Sequence, residues 1–230
     1  MIIAYIQYMN EVRPLRRGDL RDALVVYARR ATDDGHIDSM SLRAAARDLG
    51  VSSGAVYRHF CDKDALLKAV VHQGFMQLRT TFFAIRGEGE VGTSREHAVA
   101  RSFAMGRAFV NFAYDNPTLW RMMFGRIGVM CREEMRQDPE LMRYTVLDCT
   151  IENCRDLYKL GGLPEPPDRT DINFMWSAIH GAADLAQSGV REDGSEPLLV
   201  ADQTTERSLR AIGCRRELIL AGKEFLETGL

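Results

Sequence analysis

The sequence is poor in the residue patterns that mark covalent or metal chemistry. It contains no G-x-S-x-G, no H-E-x-x-H and no Cys/His group at metal-ligand spacing, so we expect no catalytic residue, no metal and no cofactor. The five cysteines are Cys61, Cys131, Cys149, Cys154 and Cys214. They are odd in number and form no C-x-x-C pair, which favours free thiols over a disulfide framework, with a redox-sensing thiol as the alternative.

A long hydrophobic run is also missing. The opening MIIAYIQYM is apolar, but it lacks a basic leading segment and is far shorter than the ~20 residues needed to cross a bilayer. It is either a ragged end or an upstream start that precedes a true start at Met9. No other stretch is long and apolar enough for a membrane span, so we expect a soluble, cytoplasmic protein with no membrane partner.

One glycine pattern raises the question of an enzyme. GEGEVG, at residues 87–92, matches G-x-G-x-x-G literally. A dinucleotide-binding loop should follow a strand, whereas the residues before Gly87 continue a helical pattern, and Glu88 and Glu90 would repel a pyrophosphate. A solvated loop between helices is therefore the favoured interpretation.

Helical periodicity, in contrast, runs through most of the sequence. The chain has 230 residues with 46% apolar content, which is enough for a substantial core in one domain of ordinary size or in two small ones, and we expect two. Apolar residues recur at helical spacing, and most runs follow a proline or a capping residue, the predicted caps including Ser41, Ser52, Asp62 and Thr93. We predict nine helices and no strands, with bounds near 20–31, 41–49, 52–60, 62–86, 93–115, from 117, from 139, 171–188 and 204–227.

Charge differs between the front and the rest of the chain. Residues 11–63 carry ten Lys/Arg against eight Asp/Glu, whereas the remainder carries 20 against 24. A mildly basic front is thus joined to an acidic remainder.

The stretch GVSSGAVYRHF, at residues 50–60, has the pattern of a helix that enters the major groove of DNA. On a wheel of about 100° per residue, Val56 and Phe60 face inward. The outward face is small in its first turn, at residues 53–55, and carries Arg58 one turn later. Small residues let the backbone approach base edges, and an arginine can reach guanine or phosphate. We therefore predict that double-stranded DNA is a partner.

The preceding residues complete a helix-turn-helix pattern. Ala46, Gly50 and Val56 supply a small residue at the helix crossing, a glycine in the turn and an apolar anchor. The residues predicted to contact DNA are Ser41, Arg43, Ser52, Ser53, Gly54, Ala55, Tyr57, Arg58, His59 and Lys63. The arginines at 13–17 form either a flexible arm in the minor groove or a solvated basic run.

This front region resembles the N-terminal domain of the TetR (tetracycline repressor) family. The resemblance rests on SLRAAARDLGVSSGAVYRHFCDKDALL, preceded by LRDALVVYARRA, with the family's Tyr-x-His-Phe and Lys-x-x-Leu-Leu, and it covers roughly residues 20–71. Cys61 departs from the family pattern, which more often has a polar residue or proline there. YDNPTLWRMMFG and WSAIHGAADL are similar to a subgroup with a Trp, His-Gly signature in its C-terminal domain.

The resemblance implies an all-α chain with two domains. We expect an N-terminal arm at residues 1–18, a three-helix helix-turn-helix domain at 19–66, and a roughly six-helix ligand-binding and dimerisation domain at 67–230. In this family the last two helices usually pack against those of a second subunit, which implies a homodimer and a palindromic operator. The apolar residues expected to form this core and interface are Phe174, Met175, Ile179, Leu209, Ile212, Ile219, Phe225 and Leu226.

Large apolar residues in the rear domain also suggest a small-molecule pocket. The predicted lining is Phe103, Phe109, Phe112, Trp120, Met123, Phe124, Trp176 and His180, and ordinary core packing is the alternative for each. The function predicted is a repressor released from its operator by a small apolar or aromatic ligand. Control by thiol oxidation or by a protein partner is the alternative within this class, and an enzyme that uses the pocket is the alternative outside it.

Overall fold

The computed structural model describes residues 19–87, 94–138, 145–188 and 196–228. Within these ranges every regular element is an α-helix, which confirms the predicted fold class. The helices are α1 Asp19–Asp33, α2 Leu42–Asp48, α3 Ser53–Tyr57, α4 Lys63–Arg86, α5 Arg95–Asp115, α6 Pro117–Phe124, α7 Arg126–Met135, α8 Val146–Lys159, α9 Arg169–Ser188, α10 Pro197–Ala211 and α11 Arg216–Thr228. The chain divides into two compact units between Val70 and Val71, so α4 begins in the first and continues in the second.

In the first unit, α1, α2 and α3 pack around a small apolar core. Leu24, Val56 and Leu66 are fully buried there. Side-chain oxygens cap three helices as predicted. Ser41, Ser52 and Asp62 each accept the backbone N–H three residues later, at 3.1, 3.2 and 2.7 Å. Each cap satisfies an amide that the first helical turn leaves without a partner, and a cap typically stabilises by about 1 kcal/mol.

In the second unit, α5 is the helix around which the others pack. It contacts α6, α8, α9, α10 and α11. Its fully buried Phe103 lies in an apolar core with Leu157, Leu209 and Ile219. Such a core is typical of a helical domain in which one central helix has no solvent-facing side.

Several predicted helix ends were wrong. The cap of α5 is Ser94, whose Oγ accepts the N–H of His97, and not Thr93, which lies outside the described residues. The helix predicted for 204–227 is two helices, α10 and α11, because Gly213 takes a φ of 91°. The helix that starts at Pro117 ends at Phe124, and α7 follows after Gly125. The start predicted at Pro139 lies outside the described residues.

A buried group of charged side chains joins α4, α5 and α8. The guanidinium of Arg101 is almost fully buried, lies 3.5 Å from the Asp156 carboxylate and donates to the carbonyl of Arg86 at 3.1 Å. Arg86 in turn pairs with Glu152. Burial lowers the pKa of Arg101, and the charge of Asp156 opposes that shift. Because removal of one partner would leave a buried charge uncompensated, we expect loss of either Arg101 or Asp156 to destabilise the packing of α8 against α5.

Candidate nucleic-acid interface and ligand cavity

The outer face of α3 is exposed as the helical wheel predicts. Val56 and Phe60 are buried, whereas Ser53, Gly54 and Tyr57 are exposed, the last by 45%. Ala55 is half-buried and Arg58 and His59 are exposed. The structure therefore brings the small residues and the polar residues of this stretch to the side of α3 that the first-unit core leaves open.

The helix itself is shorter than predicted. It ends at Tyr57, and Arg58 and His59 lie in the turn that follows. The backbone of Arg58 keeps helical angles, with φ −72° and ψ −23°. The N–H groups of His59 and Phe60 both donate to the carbonyl of Val56, so the last turn tightens before it ends. Arg58 therefore stays on the outer side although it is no longer a helical residue.

Some of the predicted contact residues already bond within the chain. Lys63 donates from Nζ to the carbonyl of Asp38 at 2.9 Å, which uses one of its three donors. Beside it, Oδ1 of Asp62 accepts the N–H of Ala65, so this amide at the start of α4 is already bonded within the chain. The hydroxyl oxygens of Ser41 and Ser52 each accept one capping bond, which leaves the hydroxyl hydrogen and one lone pair outside that bond. Arg43, on α2, is exposed.

A contact that the sequence analysis missed fixes α2 against α1. The Tyr27 hydroxyl donates to Oδ2 of Asp48 at 2.7 Å, and this bond, together with burial, raises the pKa of the phenol. Periodicity marked Tyr27 only as an apolar residue of α1. A tyrosine on the inner side of a helix combines an apolar ring with a polar tip, which is the signal that would have suggested a partner on the next helix.

The second unit contains a partly open cavity of about 50 Å³. Its large apolar lining residues are Phe82, Met105, Phe109, Met175, Trp176 and Ile179. Its polar lining residues are Ser102, Thr150, Asn153, Thr204, Thr205 and Ser208. One water needs roughly 10–15 Å³ on this measure, so the present space suits a few waters and must widen to hold an organic molecule.

Next to this cavity lies a cluster of five rings, which are Phe109, Trp120, Phe124, Trp176 and His180. The ring of His180 lies 4.6 to 5.6 Å, centre to centre, from the other four. Nε1 of Trp120 donates to Asp184 at 2.7 Å, which satisfies the one polar atom of that indole. Burial lowers the pKa of His180, so the imidazole is neutral near pH 7.

Two of the eight residues predicted to line a pocket, Phe109 and Trp176, line the cavity. Trp120, Phe124 and His180 adjoin it through the ring cluster. The other three, Phe103, Phe112 and Met123, are buried and do not line it. The polar half of the lining was missed, because hydroxyl and amide side chains on α5, α8 and α10 give no hydrophobic signal.

Most of the residues expected to form the core and the dimer interface lie in the chain's own core. Met175, Leu209, Ile212 and Ile219 are buried within the second unit, and Leu226 packs against the same core. Phe225 stacks on His97, with ring centres 5.2 Å apart. Ile179 lines the cavity. Only Phe174 is half-exposed, and it shares the outer side of α9 with the equally exposed Leu185.

Comparison with known families decides the identity of this chain. Residues 27–70 match the bacterial regulatory proteins of the tetR family, and residues 102–212 match the tetracyclin repressor-like C-terminal domain. The chain belongs to the TetR family. The two matches cover about two thirds of this TetR-family protein, and membership of a family of regulatory proteins agrees with the prediction that it is not an enzyme. The Trp, His-Gly subgroup stays a prediction.

Comparison with individual proteins agrees with this family assignment. The HTH-type transcriptional regulator Rv1816 of Mycobacterium tuberculosis is 33% identical over 122 residues, which are 48% of each chain, so this chain spans about half the length of the curated relatives it matches. A protein of unknown function from Rhodococcus sp. RHA1 is 25% identical, with a TM-score of 0.67 over 87% of this chain and 98% of that one. AibR, solved with isovaleryl coenzyme A and operator DNA, shares the fold at 14% identity, with a TM-score of 0.54 over 82% of this chain and 97% of its own.

No helix in the described part of the chain is long and apolar enough to cross a membrane.

Proposed function

We propose that this TetR-family protein is a homodimeric transcriptional repressor, which a small molecule releases from a palindromic operator. The observation that carries the proposal is the outer side of α3, where small residues and then Tyr57, Arg58 and His59 are exposed above a buried Val56. Such a surface fits the major groove, in which small residues meet base edges and polar side chains meet phosphates. Binding to chromosomal DNA also requires the cytoplasmic location that the sequence analysis expects.

A second copy of the chain is the partner that suits α9 and α10. Phe174 and Leu185 on α9 and Leu198 and Leu199 on α10 are exposed apolar side chains, and each is 40 to 50% accessible. A two-fold axis through these helices would pair like surfaces and present two α3 helices to successive major grooves, about 34–36 Å apart. The operator is then a palindrome with half-sites one turn apart.

The cavity in the second unit supplies the proposed ligand site. Its apolar lining includes Phe109 and Trp176, and its present volume leaves no room for an organic molecule without widening. A ligand that binds only the widened form shifts the protein toward that form, by no more than its differential affinity for the two states. If the widened form holds the two α3 helices at the wrong spacing, the ligand releases DNA.

Thiol control has less support than ligand control. Burial raises the pKa of Cys154 to about 12 and that of Cys214 to about 11, so both are protonated and poor nucleophiles at neutral pH. Cys131 and Cys149 are buried as well, and Cys61 is exposed. A Cys61→Ser variant that keeps its response would exclude control by the one exposed thiol, and stoichiometric binding without turnover would exclude the enzyme alternative.

The test is a gel shift with the purified protein on the DNA just upstream of its own gene, with excess unrelated DNA as competitor. A specific shift that maps to a palindrome supports the proposal, and the same complex then serves as a screen for ligands that abolish the shift. A protein that shifts operator and competitor DNA alike, from low to moderate salt, does not read sequence and the proposal fails.

A further inference from the structure

Asn153, on α8, is one of the polar residues that line the cavity and is nearly fully buried. Its Nδ2 donates to the carbonyl of Ala98 at 2.9 Å and to Oγ of Ser102 at 2.8 Å. Because a backbone carbonyl can only accept, this contact fixes which end of the amide is the nitrogen. Both donors of the amide are therefore used, and its orientation is set.

The other end of the same amide has no partner. Oδ1 of Asn153 is buried and accepts no hydrogen bond within the described part of the chain. Buried acceptors are almost always satisfied, and an exception in a native protein calls for a water, an ion or a ligand. Asn153 lines the cavity, so a molecule that enters it comes within reach of this amide, and only a molecule with a hydrogen-bond donor satisfies Oδ1.

Charge is absent from this site. None of the described side chains that line the cavity is charged at neutral pH, since the one ionisable group among them, the buried thiol of Cys154, has its pKa raised to about 12 and stays protonated. Two charged residues next to lining residues in the sequence are already paired within the chain, Arg101 with Asp156 and Arg107 with Asp202. A charged ligand would lose its hydration and find no opposite charge, which is costly.

We propose that the ligand of this regulator is a neutral molecule with an apolar body and a hydroxyl or amide N–H, which it donates to Oδ1 of Asn153 while its body lies against Phe109 and Trp176. This inference rests on the proposed ligand-released repressor and adds the chemical class of the ligand. Asn153 is held in place for the role by the carbonyl of Ala98, and Arg101 on α5 pairs with Asp156 on α8.

Three probes of similar size test the proposal by titration calorimetry on the full chain without DNA. Phenol carries the donor, toluene lacks it, and benzoate carries a charge. In a purely apolar cavity toluene would bind more tightly than phenol, because it gains more from leaving water. We expect phenol to bind about tenfold more tightly than toluene, and benzoate more weakly than phenol.

A variant of Asn153 tests whether the preference for phenol over toluene depends on this residue. In Asn153→Leu, checked for folding by thermal melting, we expect the phenol preference to disappear while toluene still binds. Equal or tighter binding of toluene by the wild-type protein would overturn the proposal, and so would tighter binding of benzoate. Failure of all three to bind at millimolar concentration would also overturn it, since water alone would then fill the site. None of these results affects the operator gel shift, so the ligand class and the DNA-binding function fail separately.

Discussion

At the scale of single residues, Arg58 is the side chain on which we expect recognition of the operator sequence to depend most. It is exposed just after α3, between Tyr57 and His59. We expect Arg58→Ala to weaken operator binding by about 1–3 kcal/mol if the guanidinium pairs with a base, with the loss confined to the specific site. The measurement is fluorescence anisotropy on operator and on unrelated DNA at several salt concentrations.

The same titration separates the other possibilities for Arg58. If the guanidinium meets a phosphate, binding to every DNA weakens alike and the salt slope shrinks by about one. Arg30→Ala is the matched control, because Arg30 is an exposed cation of the first unit outside α2 and α3. An Arg58→Ala protein with unchanged affinity and unchanged salt slope would remove this residue from the interface.

His180 gives a residue-scale prediction on pH. Burial lowers its pKa below the ordinary value of about 6.5, so the folded protein binds the proton less readily than the unfolded chain. Its contribution to stability is therefore full above pH 6.5 and is lost as pH falls through the lowered folded-state pKa. We expect the second unit to lose less stability between pH 7 and pH 5 in His180→Gln than in the wild type.

Tryptophan fluorescence during urea unfolding can measure this effect, because both tryptophans, Trp120 and Trp176, lie in the ring cluster around His180. His36→Gln is the control, since His36 is exposed in the first unit. An equal pH dependence in His180→Gln and wild type would mean that the imidazole is no harder to protonate in the folded state.

At the scale of helices, the sequence predicted starts better than ends. Ser41, Ser52 and Asp62 were recognised as caps because a polar residue stands directly before an apolar run, and the structure confirms each one. Gly213 was missed although it ends α10 in the same way as Gly50 ends α2, with a left-handed glycine and the next N–H bonded back to a carbonyl five residues earlier. The glycine at 213 interrupts a pattern that remains helical on both sides, so periodicity alone could not reveal the break.

The closest approach of α5 and α10 depends on Gly106. A Cβ built there would collide with Oγ1 of Thr205. We expect Gly106→Ala to destabilise the second unit by about 1–3 kcal/mol, because the helices must separate or the threonine must change rotamer. Thr205→Ala removes the colliding oxygen, so the double variant should recover most of the loss in urea unfolding followed by tryptophan fluorescence. If Gly106→Ala alone leaves stability unchanged, the two helices are not in tight contact at this point.

At the scale of the whole molecule, the class of fold was predictable and the cavity was not. Segments with helical periodicity, separated by glycines and polar loops, predict an all-α chain with a helix-turn-helix domain at its front. The lining of the cavity depends on how five helices, α4, α5, α8, α9 and α10, meet, and there the large aromatic residues pair with one another because edge-to-face contacts favour clustering. The space that remains lies beside small polar side chains such as Ser102 and Thr205, whose place no periodic pattern marks.

Assembly is the last property of the whole molecule that the structure allows us to test. Phe174 and Leu185 are each 50% exposed and stand three turns apart on α9, with Gly181 between them and open space above it. An arginine placed on this side would be buried without a partner if two copies meet there, so we expect Leu185→Arg to halve the mass measured by sedimentation or light scattering. Operator affinity should fall together with the mass, since each monomer then binds its half-site alone.

Val129→Arg is the control. It replaces another apolar side chain, 58% exposed on α7, and should leave both measurements unchanged. A Leu185→Arg protein that remains dimeric at micromolar concentration would show that the dimer interface does not include this side of α9.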